Sequence, residues 1–146
     1  MKELDKTIKR KYLFSAYNPD WVAKFEIIKQ NISKIFGEKA IQIEHVGSTS
    51  IPGMRAKPII DVLIIVKDVK DISEQITKMV DTGYDWGENY IAPNTIIFFK
   101  CGSDGEKLEN IHVCEVDAPK VKQFLVMRDF FRTFPEKAKQ YADLKE

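Results

Sequence analysis

The sequence predicts an α/β (α+β) fold in which a mixed β-sheet is flanked by helices. Segments of helical period and of strand period interleave along the chain. Ile59 to Val66 is apolar on both faces, which suits a central strand covered on both sides. Two strand-like runs, Thr95 to Lys100 and Leu108 to Val116, flank the turn Gly102-Ser103-Asp104-Gly105. That hairpin forces an antiparallel pair, so the sheet must be mixed.

The elements follow in order. Residues 1–11 are charged and lack periodicity, which predicts a loose N-terminal arm, and residues 12–146 are read as a single domain. Tyr12 to Tyr17 is a short extended lead-in. Asn18-Pro19-Asp20 starts a helix, with Asn18 as its cap and Pro19 suited to the first turn. Trp21, Phe25, Ile28, Ile32, Ile35 and Phe36 form its apolar stripe, and Gly37 ends it. Ile41 to Val46 is a strand. Pro52, Gly53 and Pro58 make the next segment a long irregular connection. Asp71-Ile72-Ser73-Glu74 reads as a capping box, with Ile72, Ile76, Met79 and Val80 as the buried stripe of a second helix. Gly83 stops that helix, and Tyr84 to Gly87 is a short strand. From Pro119 the chain is helical, with Val121, Phe124, Leu125, Phe131 and Phe134 on the apolar side. Pro135 breaks this helix and starts a last one, to Lys145.

Composition narrows the function. Lys plus Arg is 23 and Asp plus Glu is 22, a formal net charge of +1. That balance argues against bulk nucleic-acid binding, which needs a clear basic excess, but leaves room for a nucleotide. Cys101 and Cys114 have no framework spacing and read as free thiols of a reducing compartment. The N-terminal charges are followed by no apolar stretch, and the longest apolar run is interrupted by Asp61 and too short to span a bilayer. The expectation is a cytoplasmic protein without a membrane partner.

The chemistry concentrates between Glu44 and Asp61. Small and hydroxyl residues, Gly47-Ser48-Thr49-Ser50, follow one strand, and Asp61 stands near the start of another that is otherwise apolar. A Gly-Ser turn can present backbone N–H groups and the Ser48 hydroxyl to phosphate oxygens, or can simply be a strand exit. An Asp in an apolar strand costs several kcal/mol unless compensated, so Asp61 binds a metal, pairs with Arg55, Lys57 or Arg128, or accepts from loop N–H groups. Glu44 and His45 leave their strand on opposite faces, since side chains alternate. Glu44 is the natural second carboxylate beside Asp61. His45 either donates to a phosphate or ties down the loop, and His112 lies on a strand expected to neighbour Asp61. Lys57, held between Ala56 and Pro58, can neutralise a phosphate. Arg128 either reaches the sheet or pairs locally with Asp129.

These residues resemble the GrpB-like family, placed in the nucleotidyltransferase superfamily. The match is carried by His45-Val46-Gly47-Ser48-Thr49-Ser50-Ile51-Pro52-Gly53 and Ala56-Lys57-Pro58-Ile59-Ile60-Asp61. Ile111-His112-Val113 and Arg128-Asp129-Phe130-Phe131-Arg132 follow in the expected order. The resemblance runs from about Tyr17 to the C-terminus. It implies a nucleotidyltransferase-like fold in which a Gly-Ser turn holds nucleotide phosphates and two carboxylates spaced D-x-D bind magnesium, with a third from a later strand. Here Asp61-Val62-Leu63 has Leu63 where the second carboxylate would stand, and Asn110 falls near the third. Some relatives are fused to dephospho-CoA kinase, an association with nucleotide metabolism.

The sequence therefore leaves two main readings. In one, a nucleotide or other phosphate-containing metabolite binds at Gly47, Ser48, Thr49, Ser50, Lys57, His45 and Arg128. Asp61, Glu44 and His112 are then the catalytic set, with Asp61 and Glu44 holding Mg²⁺ for transfer to an acceptor. In the other, the chain is a non-catalytic nucleotide- or CoA-type binding module with a degenerate site. A third, phosphohydrolase reading uses His112 as acid or base.

Overall fold

Asn18 accepts from the Asp20 N–H at 2.9 Å, and the chain turns into helix α1, Asp20–Phe36. The computed structural model describes residues 14–89 and 92–145; the expected arm over residues 1–11, with Tyr12 and Leu13, lies outside them. Ser15 pairs with Ala56 in an isolated antiparallel bridge, so the extended lead-in is held by the later connection. On α1, Trp21, Phe25, Ile28, Ile32 and Phe36 are buried at the predicted spacing. Gly37 ends the helix at φ 53°, a conformation that favours glycine.

The strands are β1, Gln42–Val46; β2, Ile60–Val66; β3, Asp85–Glu88; β4, Thr95–Cys101; and β5, Lys107–Glu115. They form one sheet in the order β1-β2-β5-β4-β3. Only β2 and β5 run parallel, and the other pairs are antiparallel, so the sheet is mixed as the hairpin required. The register aligns Glu44, Leu63 and His112 in one row, and Val46, Asp61 and Asn110 in the next.

Helix α2 spans Ser73–Asp81, α3 Pro119–Thr133 and α4 Pro135–Lys145. The expected capping box is absent. A 3-10 turn at Val69–Asp71 intervenes, capped by Asp68, which accepts from the Lys70 N–H, and Ile72 sits at the α2 cap position with no side-chain bond. Two stripe residues also differ from expectation: Val80 and Phe134 are exposed, and Gln75 takes a buried place on α2. Val80 follows the fully buried Met79 and turns to the outward side of α2, and Phe134 is the cap residue that follows the last turn of α3.

One face of the sheet packs on α1 and α2 through Ile43, Val62, Ile64, Phe98, Ile111 and Val113. The other packs on α3: Val46, Leu63, Ile65 and Cys114 meet Val121, Phe124 and Leu125. Ile51 and Met54 of the β1–β2 connection pack against Phe131, Ala138 and Ala142, which anchors α4 to the same end of the molecule. Both faces of β2 are thus covered, which is why its run is continuously apolar apart from Asp61. No helix of the described residues is long and apolar enough to cross a membrane.

Candidate phosphate site and its surroundings

Strand alternation decides which candidate residues meet. Asp61 and His112 project from the α3 face, and His112 Nε2 lies 3.3 Å from Asp61 Oδ1. Asp61 keeps about a quarter of its side chain exposed, while His112 is nearly covered. The His112 ring packs on Phe124 with centroids 4.9 Å apart, and its Nδ1 is buried without a hydrogen-bond partner. Beside it on β5, Asn110 Oδ1 is likewise buried and unpartnered. Such groups cost about 1–3 kcal/mol each and need compensation elsewhere in the fold.

The β1–β2 connection reaches Asp61 through Gly47. Gly47 sits at φ 74° and ψ −173°, a region essentially confined to glycine. After it comes a 3-10 turn, Ser48–Ser50. The Thr49 hydroxyl donates to the Ile59 carbonyl at 3.2 Å, and Ser50 Oγ donates to the Gly47 carbonyl at 2.6 Å. Both hydroxyls therefore shape the loop. Ser48 is half-buried and lines two cavities.

The first cavity, of about 450 Å³, is bounded by Phe14, Ser48, Thr49, Lys57, Ile59, Asp61 and Asn110. It unites four of the candidate residues: Ser48, Thr49, Lys57 and Asp61. The second, of about 250 Å³, lies between the loop and α3. Its walls are Gly47, Ser48, Ile51, Met54, Lys120, Gln123, Phe124, Met127, Arg128, Phe131 and Tyr141.

Glu44, His45 and Arg128 are placed otherwise. Glu44 Oε1 accepts from Arg128 Nη1 at 2.6 Å, and Arg128 also donates to the His45 carbonyl at 3.3 Å and to Asp129 at 3.0 Å. Beside this guanidinium, and with a second donor from Gln42, the Glu44 carboxyl is held below its usual range despite partial burial. His45 points to the α1 face. It stacks on Phe25 with centroids 4.8 Å apart and the rings within 9° of parallel, and its Nε2 lies 2.9 Å from Thr49 Oγ1. Since the Thr49 hydroxyl proton goes to Ile59, Nε2 is the donor in that bond. Burial, reinforced by the Arg132 guanidinium, pushes the His45 pKa down to about 4. Leu63 is fully buried under α3, so a carboxylate there would face Val46, Ile65 and Cys114.

Arg132, one turn after Arg128, is a contact that reading the sequence missed: its Nε donates to the Ser50 carbonyl at 3.0 Å. The signal available was the i, i+4 spacing of two arginines on the predicted helix. Among the described residues, no group of three or more His, Cys, Asp or Glu is placed to hold a metal ion. Asp61 can still contribute one carboxylate to a magnesium ion whose other ligands are phosphate oxygens and water, the usual arrangement for this ion.

Residues 13–146 match the family described as GrpB protein. The chain is 39% identical over 139 residues to the UPF0157 protein YqkA of Bacillus subtilis, covering 94% of this chain and 40% of that protein's length. A crystal structure of the conserved protein GrpB from Enterococcus faecalis superimposes with a TM-score of 0.85 at 29% identity, covering 91% of this chain and 80% of the other. A shorter similarity, 31% over 70 residues, links 46% of the chain to 17% of a dephospho-CoA kinase of Mycolicibacterium paratuberculosis.

Proposed function

Since the chain belongs to the GrpB family, we propose that it binds the phosphates of a nucleotide-type metabolite in the Asp61 cavity and transfers the nucleotidyl group to an acceptor. The observation that carries this reading is the meeting of Ser48, Lys57 and Asp61 around one cavity of about 450 Å³. Ser48 donates its hydroxyl to a phosphate oxygen, and Lys57 neutralises phosphate charge from the rim. Asp61, met by His112 on one oxygen and occupying the space that a side chain at Gly47 would fill, turns its remaining lone pairs to the ligand. A magnesium ion held by Asp61 together with phosphate oxygens would offset charge on the departing pyrophosphate. The partial similarity to a dephospho-CoA kinase is in keeping with a ligand of nucleotide type.

A second reading is favoured by two observations. Glu44 is engaged by Arg128, and Leu63 is a core residue where a second carboxylate would stand. On those grounds the domain is a nucleotide- or CoA-type binding module that performs no transfer.

Calorimetric titration with ATP, GTP, CTP and CoA, with and without magnesium, separates the two. Transfer predicts magnesium-dependent binding that disappears in Asp61→Ala and weakens in Ser48→Ala. Binding that ignores magnesium and survives Asp61→Ala establishes the module. Unchanged affinity of Ser48→Ala for every phosphate ligand removes the loop from the site altogether.

A further inference from the structure

The α3 cavity is built unlike the phosphate cavity beside it. Its walls are mostly apolar, Ile51, Met54, Phe124, Met127, Phe131 and Tyr141, joined by Gln123, by Gly47 and Ser48, and by two cations, Lys120 and Arg128. Phe131 and Tyr141 lie with ring centroids 5.0 Å apart and form an aromatic corner. Ile51 and Met54 are almost completely buried, so this surface belongs to the folded core and is preformed. An apolar hollow with a few convergent polar groups is the usual construction of a small-molecule site.

The two cations differ in what they have left to give. Arg128 spends Nη1 on Glu44 and the His45 carbonyl, and Nε on Asp129. Lys120 is half-buried and forms no ion pair among the described residues. It also stands in the first turn of α3, which has no acidic residue and where the helix dipole disfavours a cation. A half-buried lysine lining an apolar hollow, with no ion-pair partner among the described residues, is matched by an anionic group on whatever fills the hollow.

We infer that the α3 cavity is a binding site for a small organic acid with an aromatic or branched apolar body, whose carboxylate is met by Lys120. The body lies against Phe124, Phe131 and Tyr141, and the Arg128 side chain closes the inner end. The site stands independently of the phosphate reading. If both hold, Ser48 is the common wall, and an acid in this cavity sits next to the nucleotide phosphates, as an acceptor must. That last step alone rests on the phosphate reading.

The test uses the full chain, uniformly ¹⁵N-labelled, with phenylacetate and indole-3-acetate as probes and phenylacetamide as the uncharged counterpart. Saturable shifts should centre on Gly47, Ser48, Met54, Phe124 and Tyr141. The carboxylates should bind at least about fivefold more tightly than the amide. Lys120→Gln, a change on a half-exposed side chain, should abolish that preference while leaving the amide's affinity unchanged. A probe that shifts no residue of this cavity at millimolar concentration overturns the site. Equal affinity of acid and amide in wild type, or a preference that persists in Lys120→Gln, overturns the role of Lys120. Adenosine shifting these residues where the acids do not would mark the hollow as a nucleoside pocket and overturn the assignment. Repeating the titration in Asp61→Ala keeps the two readings apart: acid binding should persist there whether or not nucleotide binding is lost.

Discussion

A Cβ built on Gly47 would stand 2.6 Å from Asp61 Oδ2 and 3.0 Å from Asp61 Cβ, so the carboxylate occupies the space that any other residue at 47 would need. The turn and the Asp are thus one device. Gly47 adopts a backbone conformation that only glycine takes readily, and Asp61 closes over the bare backbone it leaves. Gly47→Ala should cost at least about 2 kcal/mol, combining backbone strain with the clash. Urea denaturation of the variant measures it. In an Asp61→Ala background the same change should cost less, because the carboxylate contacts are gone while the contact with Cβ and the positive φ remain. Additive costs in the two backgrounds would show that Asp61 and Gly47 do not constrain each other.

Arg128 holds the end of β1 from α3, across a separation of 84 residues. Both members of its pair with Glu44 are largely covered, with side-chain exposures of 12% and 27%, so the bond is better shielded than a surface ion pair. Arg128→Ala also removes the donor to the His45 carbonyl, and it should destabilise the fold by about 1–3 kcal/mol, more than Glu44→Ala does. A double-mutant cycle should return a coupling of about 0.5–3 kcal/mol. A coupling near zero would free Glu44 for a role at the Asp61 cavity.

Much of the architecture was legible because it is written in short-range patterns. The α1 stripe, the apolar β2 run and the Gly102–Gly105 turn each declare an element within a few residues, and their order forces the mixed sheet. Alternation also placed Glu44 and His45 on opposite faces. What alternation leaves open is which face meets the cavity, since that depends on the helices that cover the sheet. The commitments of the polar groups were hidden for the same reason. Glu44 and Arg128 are 84 residues apart, and the Thr49 and Ser50 hydroxyls turn inward to carbonyls that only the folded loop brings near. The capping-box expectation failed locally: Asp68 offered an earlier cap, and a 3-10 turn formed there first.

His112 is a buried ring with one nitrogen facing Asp61 and the other facing no partner. If its place were structural, replacing it with an apolar ring of similar shape would be costly only through Asp61. His112→Phe preserves the contact with Phe124 and removes an unsatisfied buried nitrogen. Its stability to urea should fall within about 1 kcal/mol of wild type, while affinity for magnesium-ATP should drop because Asp61 loses its orienting neighbour. A variant as tight as wild type for that ligand would remove His112 from the site.

His45 gives the fold a defined response to acid. Its ring is buried and neutral, with a pKa of about 4 in the folded chain against 6.5 as the ordinary value. Below pH 6.5 the unfolded chain takes up a proton that the folded chain refuses, so stability must fall as pH falls, and this loss is complete once the pH drops below about 4. Between pH 6.5 and 5, where most carboxylates keep their charge, the loss amounts to roughly 1.5 kcal/mol from this residue. Urea midpoints measured across that window should decline in wild type. In His45→Gln, which keeps a donor for Thr49 but does not titrate, the decline should shrink by about that amount. Parallel slopes in the two proteins would mean that His45 titrates alike folded and unfolded. Its stacking on Phe25 and its bond to Thr49 would then not keep the ring neutral.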